Sequence, residues 1–119
     1  MTGGRRVLIV EDNTSMREIL TVFLERAGFD VVAVSEYQRA MELIRKDLFD
    51  SVVADLDLPG GTGLDLVHNA RALRPRMRAF LMTGYGCSAI RKQVEALSPH
   101  GYLEKPFDPD DLVNRLKED

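Results

Sequence analysis

The chain has 119 residues, of which 45% are hydrophobic and 29% are charged, and this composition excludes intrinsic disorder, collagen-like repeats and a coiled coil. Nineteen acidic and sixteen basic residues give a net charge of -3. Such a balance offers no positive field to nucleic acid or anionic lipid, and we expect direct binding to neither nucleic acid nor a membrane. The sequence contains no secretory segment and no apolar run of bilayer length, so we predict a cytoplasmic location.

Five apolar runs recur along the chain and are too continuous to be half-exposed strands. They span residues 7–10, 31–34, 51–56, 79–82 and 102–103. Strands that are buried on both faces of a parallel sheet have this pattern. We therefore predict five buried strands.

Helical patterns lie between these runs, and the first is the most regular. Apolar residues repeat there at helical spacing and predict a buried stripe of Met16, Ile19, Leu20, Phe23, Leu24 and Ala27. Ser15 with Glu18 matches a capping box, and Gly28 stands where such a helix would end. Ser35 with Gln38 predicts the start of a second helix.

Three more helices complete the alternation. We predict a third over residues 63–73 and a fourth over residues 88–97. Asp108 followed by Pro109 is typical of a helix start and predicts a last helix that buries Leu112, Val113 and Leu116.

The alternation of strands and helices predicts an α/β, flavodoxin-like (βα)5 fold. This is a doubly wound, five-stranded parallel sheet with strand order 2-1-3-4-5 and helices on both faces. We expect residues 1–5 to form a tail and residues 6–119 a single domain. Ligands in such sheets bind beyond the carboxyl ends of the strands, here between the first and third.

Polar residues cluster at the predicted strand ends: Glu11, Asp12, Asp55, Asp57, Thr83, Glu104 and Lys105. Asp55 continues an apolar run, and a carboxylate near the interior is costly unless it is paired or binds a metal. Carboxylates crowded at one edge suit a hard divalent cation such as Mg²⁺. Lys105 supplies a charge suited to a phosphoryl group, and Thr83 adds a hydroxyl. The set predicts phosphoryl transfer to an aspartate.

Four segments in register resemble the receiver domains of two-component response regulators: VLIVED, VVADLDLPGGTG, FLMTG and GYLEKPF. The resemblance covers essentially the whole chain. It implies that Asp55 accepts a phosphoryl group and that Mg²⁺, or Mn²⁺ in its place, is bound by Asp12, by Asp55 and by the backbone carbonyl of Asp57. Glu11 would contact the metal through water.

The same resemblance assigns the remaining site residues. Lys105 would contact the phosphoryl group, Thr83 would be the switch hydroxyl, and Tyr102 would be the aromatic residue that follows its movement. The bond between Lys105 and Pro106 would be a cis peptide, an isomer that is cheap only before proline.

The resemblance also implies partners. The phosphoryl donor would be a sensor histidine kinase or a histidine phosphotransfer protein. Phosphorylation would change a surface formed by the fourth predicted helix, the fifth strand and the fifth helix, which would meet an output domain, a target protein or a second copy. The chain would catalyse its own phosphorylation and dephosphorylation without being a dedicated enzyme. It could be a single-domain protein or part of a longer regulator or hybrid kinase.

Two features depart from the family pattern. Gly60, Gly61 and Thr62 stand where the family usually has a bulkier residue and an acid, and we expect the glycine pair to loosen this loop. Asp57 and Tyr85 would flank the path of water to the acyl phosphate, which affects its lifetime.

Two other functions stay open at this point. VVADLDLPG also resembles the nucleophile motif of haloacid-dehalogenase-type phosphatases, although that motif begins their fold and belongs to larger chains. A phosphorylation-independent scaffold of the same fold is the third possibility, but it would not need Asp12, Asp55, Thr83 and Lys105 together. Four arginines around Pro75, namely Arg71, Arg74, Arg76 and Arg78, are interpreted as a solvated face.

Overall fold

A computed structural model describes residues 5–84 and 102–118 of the chain. Its long strands are β1 (Arg6–Val10), β2 (Asp30–Val34), β3 (Ser51–Asp55), β6 (Arg78–Thr83) and β7 (Tyr102–Glu104), and two short strands are β4 (Asp57–Leu58) and β5 (Gly61–Thr62). The helices are α1 (Thr14–Arg26), α2 (Tyr37–Lys46), α3 (Gly63–Leu73) and α4 (Pro109–Lys117). The helix predicted over 88–97 and Tyr85 lie outside the described residues.

The five long strands form one sheet in the order β2-β1-β3-β6-β7, and every neighbouring pair is parallel. The predicted fold is confirmed. In detail the strand numbering differs, because β4 and β5 form a separate antiparallel hairpin that the sequence did not predict. Two-residue strands carry too few side chains to produce an alternating pattern.

Each face of the sheet is covered by its own hydrophobic cluster. One cluster contains residues of α2 and α3, among them Met41, Ile44 and Leu66. The other contains residues of α1 and α4, among them Leu24 and Leu112. This two-sided burial explains why β1 and β3 read as continuous apolar runs.

The first helix differs from its prediction in two respects. It begins after Asn13, whose side chain accepts a hydrogen bond from the amide of Met16, so the cap is Asn13 and not Ser15. Its fully buried residues are Leu20 and Leu24 only, whereas Ile19 and Phe23 are 47% and 38% exposed. The apolar stripe is therefore wider than the surface that the sheet covers.

The other helix starts vary in how well they were predicted. α2 begins at Tyr37 after the cap position Glu36, which makes no side-chain cap hydrogen bond, so the predicted start at Ser35 is one residue early. α4 has its predicted cap, because Asp108 accepts from the amide of Asp110. Leu112, Val113 and Leu116 are its buried residues, as predicted. Within residues 5–84 and 102–118, none of the helices has the length and apolar character needed to cross a bilayer.

Candidate functional site

The candidate site lies at the carboxyl-terminal edge of the sheet, where four neighbouring strands end. Glu11 follows β1, Asp55 ends β3, Thr83 ends β6 and Lys105 follows β7. Backbone hydrogen bonds extend the sheet one residue further, from the amide of Glu11 to Val34 O (3.0 Å) and from that of Lys105 to Thr83 O (2.7 Å). The parallel order of the strands brings these four strand ends to one edge from distant parts of the sequence.

The ammonium of Lys105 joins two of the carboxylates. Its Nζ lies 2.6 Å from Glu11 Oε1 and 3.0 Å from Asp55 Oδ2. The second oxygen of each carboxylate accepts from a backbone amide, Asn13 N to Glu11 Oε2 at 3.1 Å and Asp57 N to Asp55 Oδ1 at 3.3 Å. These contacts fix both carboxylates from two sides.

Burial makes this ion-pair network costly and shifts the pKa values of Glu11 and Lys105. Glu11 is fully buried and Asp55 is 8% exposed. Burial raises the pKa of Glu11, and its hydrogen bonds to Lys105 and Asn13 offset only part of that effect. Burial alone would lower the pKa of Lys105, but the hydrogen bonds to Glu11 and Asp55 outweigh it and the pKa is raised. Lys105 is therefore held as a cation beside the two acids.

Three carboxylates converge closely enough to bind one ion. Oxygen atoms of Glu11, Asp12 and Asp55 all lie within 4.8 Å of one another, and Asp12 is exposed to solvent. Carboxylate oxygens are the ligands that Mg²⁺ prefers, and an exposed position leaves room for the waters that this ion keeps. The donor set thus fits the implied metal. Asp57, the other implied ligand, begins β4 two residues after Asp55, and its side chain is exposed.

The remaining predicted residues lie on β6, on β7 and directly after β7. Thr83 is buried and pairs with Glu104 across the sheet. Tyr102 lies in β7 opposite Leu81, and its side chain is outside the described part of the structure. The peptide bond between Lys105 and Pro106 is cis.

Two residues that shape the site were missed by the sequence analysis. Arg17 Nη1 donates to the backbone carbonyls of Glu11 (2.8 Å) and Asp12 (3.4 Å), and so supports the loop after β1. Gly63 lies directly against Asp55, and a Cβ atom there would overlap the carbonyl oxygen of Asp55. Arg17 gave no recognisable sequence signal, because its contacts are to backbone atoms. For Gly63, the available signal of a close backbone contact was a glycine at the first position of a predicted helix.

Comparison with known proteins gives a consistent result. The family model for the response regulator receiver domain matches residues 7–117. The response regulator receiver protein CpdR of Brucella abortus is 29% identical and covers 95% of this chain and 94% of its own length. The response regulator protein FleR of Pseudomonas aeruginosa is 34% identical over 92% of this chain, which spans only 23% of FleR.

A solved structure agrees with these relatives. It is a response regulator protein from Burkholderia pseudomallei with a phosphorylated aspartic acid, a calcium ion and citrate. Its TM-score is 0.86 at 27% identity, with 95% of this chain and 66% of that chain covered. The family match favours a receiver over the haloacid-dehalogenase alternative. From its fold, its converging carboxylates and lysine, and the match over residues 7–117, the chain belongs to the response regulator receiver domain family.

Proposed function

We propose that the chain accepts a phosphoryl group on Asp55 from the phosphohistidine of a sensor histidine kinase or a histidine phosphotransfer protein. The observation that carries this proposal is the position of Lys105, whose Nζ lies 3.0 Å from Asp55 Oδ2 within a cluster of three carboxylates. Phosphoryl transfer to an aspartate requires a carboxylate nucleophile with a cation beside it. It also requires further carboxylates that can bind a metal ion. The phosphorylated aspartic acid in the Burkholderia relative supports the same assignment.

In this proposal the metal is Mg²⁺, for which Mn²⁺ could substitute. Asp12, Asp55 and the backbone carbonyl of Asp57 would hold it, and Glu11 would contact it through water. When bound, the ion would neutralise charge on the phosphoryl oxygens. Arg17 keeps the Glu11 and Asp12 backbone in place for this role.

The chemical step exchanges one bond to phosphorus for another. A carboxylate oxygen of Asp55 attacks the phosphorus, an oxygen–phosphorus bond forms, and the bond from phosphorus to the histidine nitrogen breaks. Lys105 donates to the phosphoryl oxygens as their charge shifts, which requires its ammonium to move away from one carboxylate. In the resting site, hydrogen bonds to Glu11 and Asp55 raise the pKa of Lys105, so the transfer begins with a charged ammonium. Water later attacks the acyl phosphate, which releases inorganic phosphate and restores the Asp55 carboxylate. The chain would thus catalyse its own phosphorylation and dephosphorylation.

The proposal includes a cytoplasmic location, a receiver domain over residues 6–119 and a switch. The switch begins at Thr83, whose hydroxyl would turn toward the new phosphoryl oxygens, and continues to Tyr102. It would change the surface of the fourth predicted helix, the fifth predicted strand and the last helix, which would meet an output domain, a target protein or a second copy. Hydrogen exchange over residues 84–104 with and without beryllofluoride tests this route. We expect Thr83→Ala to weaken the response, and a full response would refute the role of Thr83.

The central experiment measures acyl phosphate on intact protein. Wild type and Asp55→Asn are incubated with acetyl phosphate and Mg²⁺, and the added mass is measured. We expect one phosphoryl group on wild type and none on the variant. Equal incorporation would refute Asp55 and direct attention to Asp57. No incorporation and no binding of beryllofluoride by the wild type would favour a scaffold, and turnover of a small phosphate ester would favour a phosphatase.

A further inference from the structure

The hairpin formed by β4 and β5 carries Asp57 and lies under the side chain of Tyr37. In the hairpin, Asp57 pairs with Thr62 and Leu58 pairs with Gly61. Tyr37, the first residue of α2, is half-buried and packs against the same hydrophobic cluster as Leu58. A loop that the glycine pair was expected to loosen is therefore paired, and Tyr37 packs against part of it.

The ring of Tyr37 occupies the space that a side chain at position 61 would need. A Cβ atom on Gly61 would lie 2.7 Å from Cδ2 and 2.9 Å from Cγ of Tyr37, which is closer than such atoms approach. Gly60 next to it has φ +86, a conformation that favours glycine, and its own Cβ would lie 3.8 Å from the Cβ of Tyr37. The glycine pair and the tyrosine thus form one complementary contact between α2 and the hairpin.

Two hydrogen bonds hold Tyr37 in this position. Its backbone amide donates to Pro59 O at 3.2 Å, which ties the start of α2 to the turn of the hairpin. Its hydroxyl accepts from Asn69 Nδ2 at 2.6 Å, which ties the ring to α3. The backbone of Tyr37 is therefore joined to the hairpin and its ring to α3.

We propose that Tyr37 is a positioning residue that orders the Asp57 hairpin beside Asp55 before any metal arrives. This inference rests on the proposed function, in which the Asp57 carbonyl is a metal ligand. The amide of Asp57 already reaches Asp55 Oδ1 at 3.3 Å, so the hairpin and the phosphoacceptor are in direct contact. Metal binding loses less conformational entropy when the coordinating group is already ordered. The Tyr37 contact orders the loop that carries the Asp57 carbonyl and so lowers this entropy cost.

The first test compares Tyr37→Ala with Tyr37→Phe and with Ile44→Ala. Ile44 is a fully buried core residue on the same helix, so its variant controls for loss of stability from α2. We expect Tyr37→Ala to weaken Mg²⁺ binding about tenfold in titration calorimetry, as loss of supporting contacts around a metal commonly does. Tyr37→Phe keeps the ring and should retain most of the affinity. Ile44→Ala should lower the melting temperature without this loss of affinity.

A second readout needs no metal. Hydrogen exchange of residues 56–63 in metal-free protein should accelerate in Tyr37→Ala, because this substitution removes the ring that packs against the hairpin. The exchange should remain close to wild type in Ile44→Ala, which leaves that ring in place. Unchanged exchange and unchanged Mg²⁺ affinity in Tyr37→Ala would overturn the proposal.

Gly61→Ala tests the same contact from the hairpin if Tyr37→Ala does not fold, and the two substitutions form a double-mutant cycle if both variants fold. Gly61→Ala should displace the Tyr37 ring and weaken Mg²⁺ binding on its own, but should add little to Tyr37→Ala, where the space is free. Gly61→Ala binding Mg²⁺ as tightly as wild type, or losses that add in the double variant, would overturn the proposal. Failure of the proposed function is distinguishable, since then wild type itself would bind no Mg²⁺ or take no phosphoryl group on Asp55.

Discussion

The two edges of the sheet carry charge in opposite ways. At the carboxyl-terminal edge, the site edge, three carboxylates converge and Lys105 pairs with two of them. At the amino-terminal edge, the opposite edge, two arginines donate to backbone carbonyls at the end of α4. Arg78 donates to the carbonyls of Leu116, Glu118 and Arg115, and Arg5 donates to that of Leu116.

The difference separates a structural use of charge from a functional one. The carbonyls at the end of α4 carry partial negative charge, and arginine satisfies it at the point where the helix needs a cap. The site edge instead keeps more negative charge than its lysine neutralises, which costs stability and leaves capacity for a cation. Substitutions at the two edges should therefore respond differently to metal.

The largest expected effect is that of Mg²⁺ on the site edge. At a hundredfold excess over its dissociation constant, Mg²⁺ should raise the free energy of unfolding by about 2.7 kcal/mol if only the native state binds it. Chemical denaturation at matched ionic strength, with NaCl as the control, measures this effect. An equal gain from NaCl would mean general screening and would remove the distinction between the two edges.

Loss of the arginine cap at the opposite edge should come next. Arg78→Ala removes three hydrogen bonds to carbonyls and a contact 5.2 Å above the ring of Phe80. We expect a loss of about 2 kcal/mol, allowing for partial exposure of these groups. The loss should be the same with and without Mg²⁺. Arg76→Ala, at an exposed position two residues earlier, is the control and should change stability by less than about 0.5 kcal/mol.

Arg78 also illustrates what could not be read from the sequence. The sequence analysis grouped Arg78 with its neighbours as a solvated face. Its hydrogen-bond partners lie nearly forty residues later in the chain, and a local sequence pattern cannot predict contacts over such a separation. The five long strands were predictable because burial on both faces leaves a continuous apolar run. Glu11, Asp12, Asp55 and Lys105 were predictable as neighbours because parallel strands share one carboxyl-terminal edge.

The Tyr37 contact marks a second limit of the sequence. Gly60 and Gly61 suggested a loose loop, since glycine adds freedom to an isolated chain. The contact between these glycines and the Tyr37 ring depends on where α2 starts. α2 starts at Tyr37 without a side-chain cap, so the sequence offered no signal for this start. The periodicity of α1 had the same weakness, because it describes an apolar face but not how much of that face another element covers.

Removal of one carboxylate should have a smaller effect, of opposite sign to that of Arg78→Ala. Asp12→Ala relieves repulsion between Asp12 and its neighbours Glu11 and Asp55, so the metal-free protein should gain about 0.5 kcal/mol. The same variant should lose the stabilisation by Mg²⁺. Thermal unfolding with and without Mg²⁺ measures both effects. A variant that responds to Mg²⁺ as strongly as wild type would refute Asp12 as a ligand and weaken the contrast between the edges.

The smallest effect on metal binding should come from Asp57→Asn, and its matched partner is Asp12→Asn. Both changes remove one negative charge and preserve the shape of the side chain, so their general electrostatic effects are comparable. In the proposed site Asp12 binds through its carboxylate, whereas Asp57 binds through its backbone carbonyl, which the substitution leaves in place. Asp12→Asn should therefore weaken Mg²⁺ binding about tenfold or more. Asp57→Asn should weaken it by less than about threefold, because an exposed charge is screened by solvent and salt.

Calorimetric titration of Mg²⁺ into both variants separates a side-chain ligand from a backbone ligand at the site edge. The half-life of the acyl phosphate should differ between Asp57→Asn and wild type if the Asp57 side chain borders the path of attacking water, and identical half-lives would remove that role. Equal losses of Mg²⁺ affinity in the two variants would contradict the backbone assignment. Asp57 would then contribute its carboxylate to the metal, as a fourth acid beside Glu11, Asp12 and Asp55.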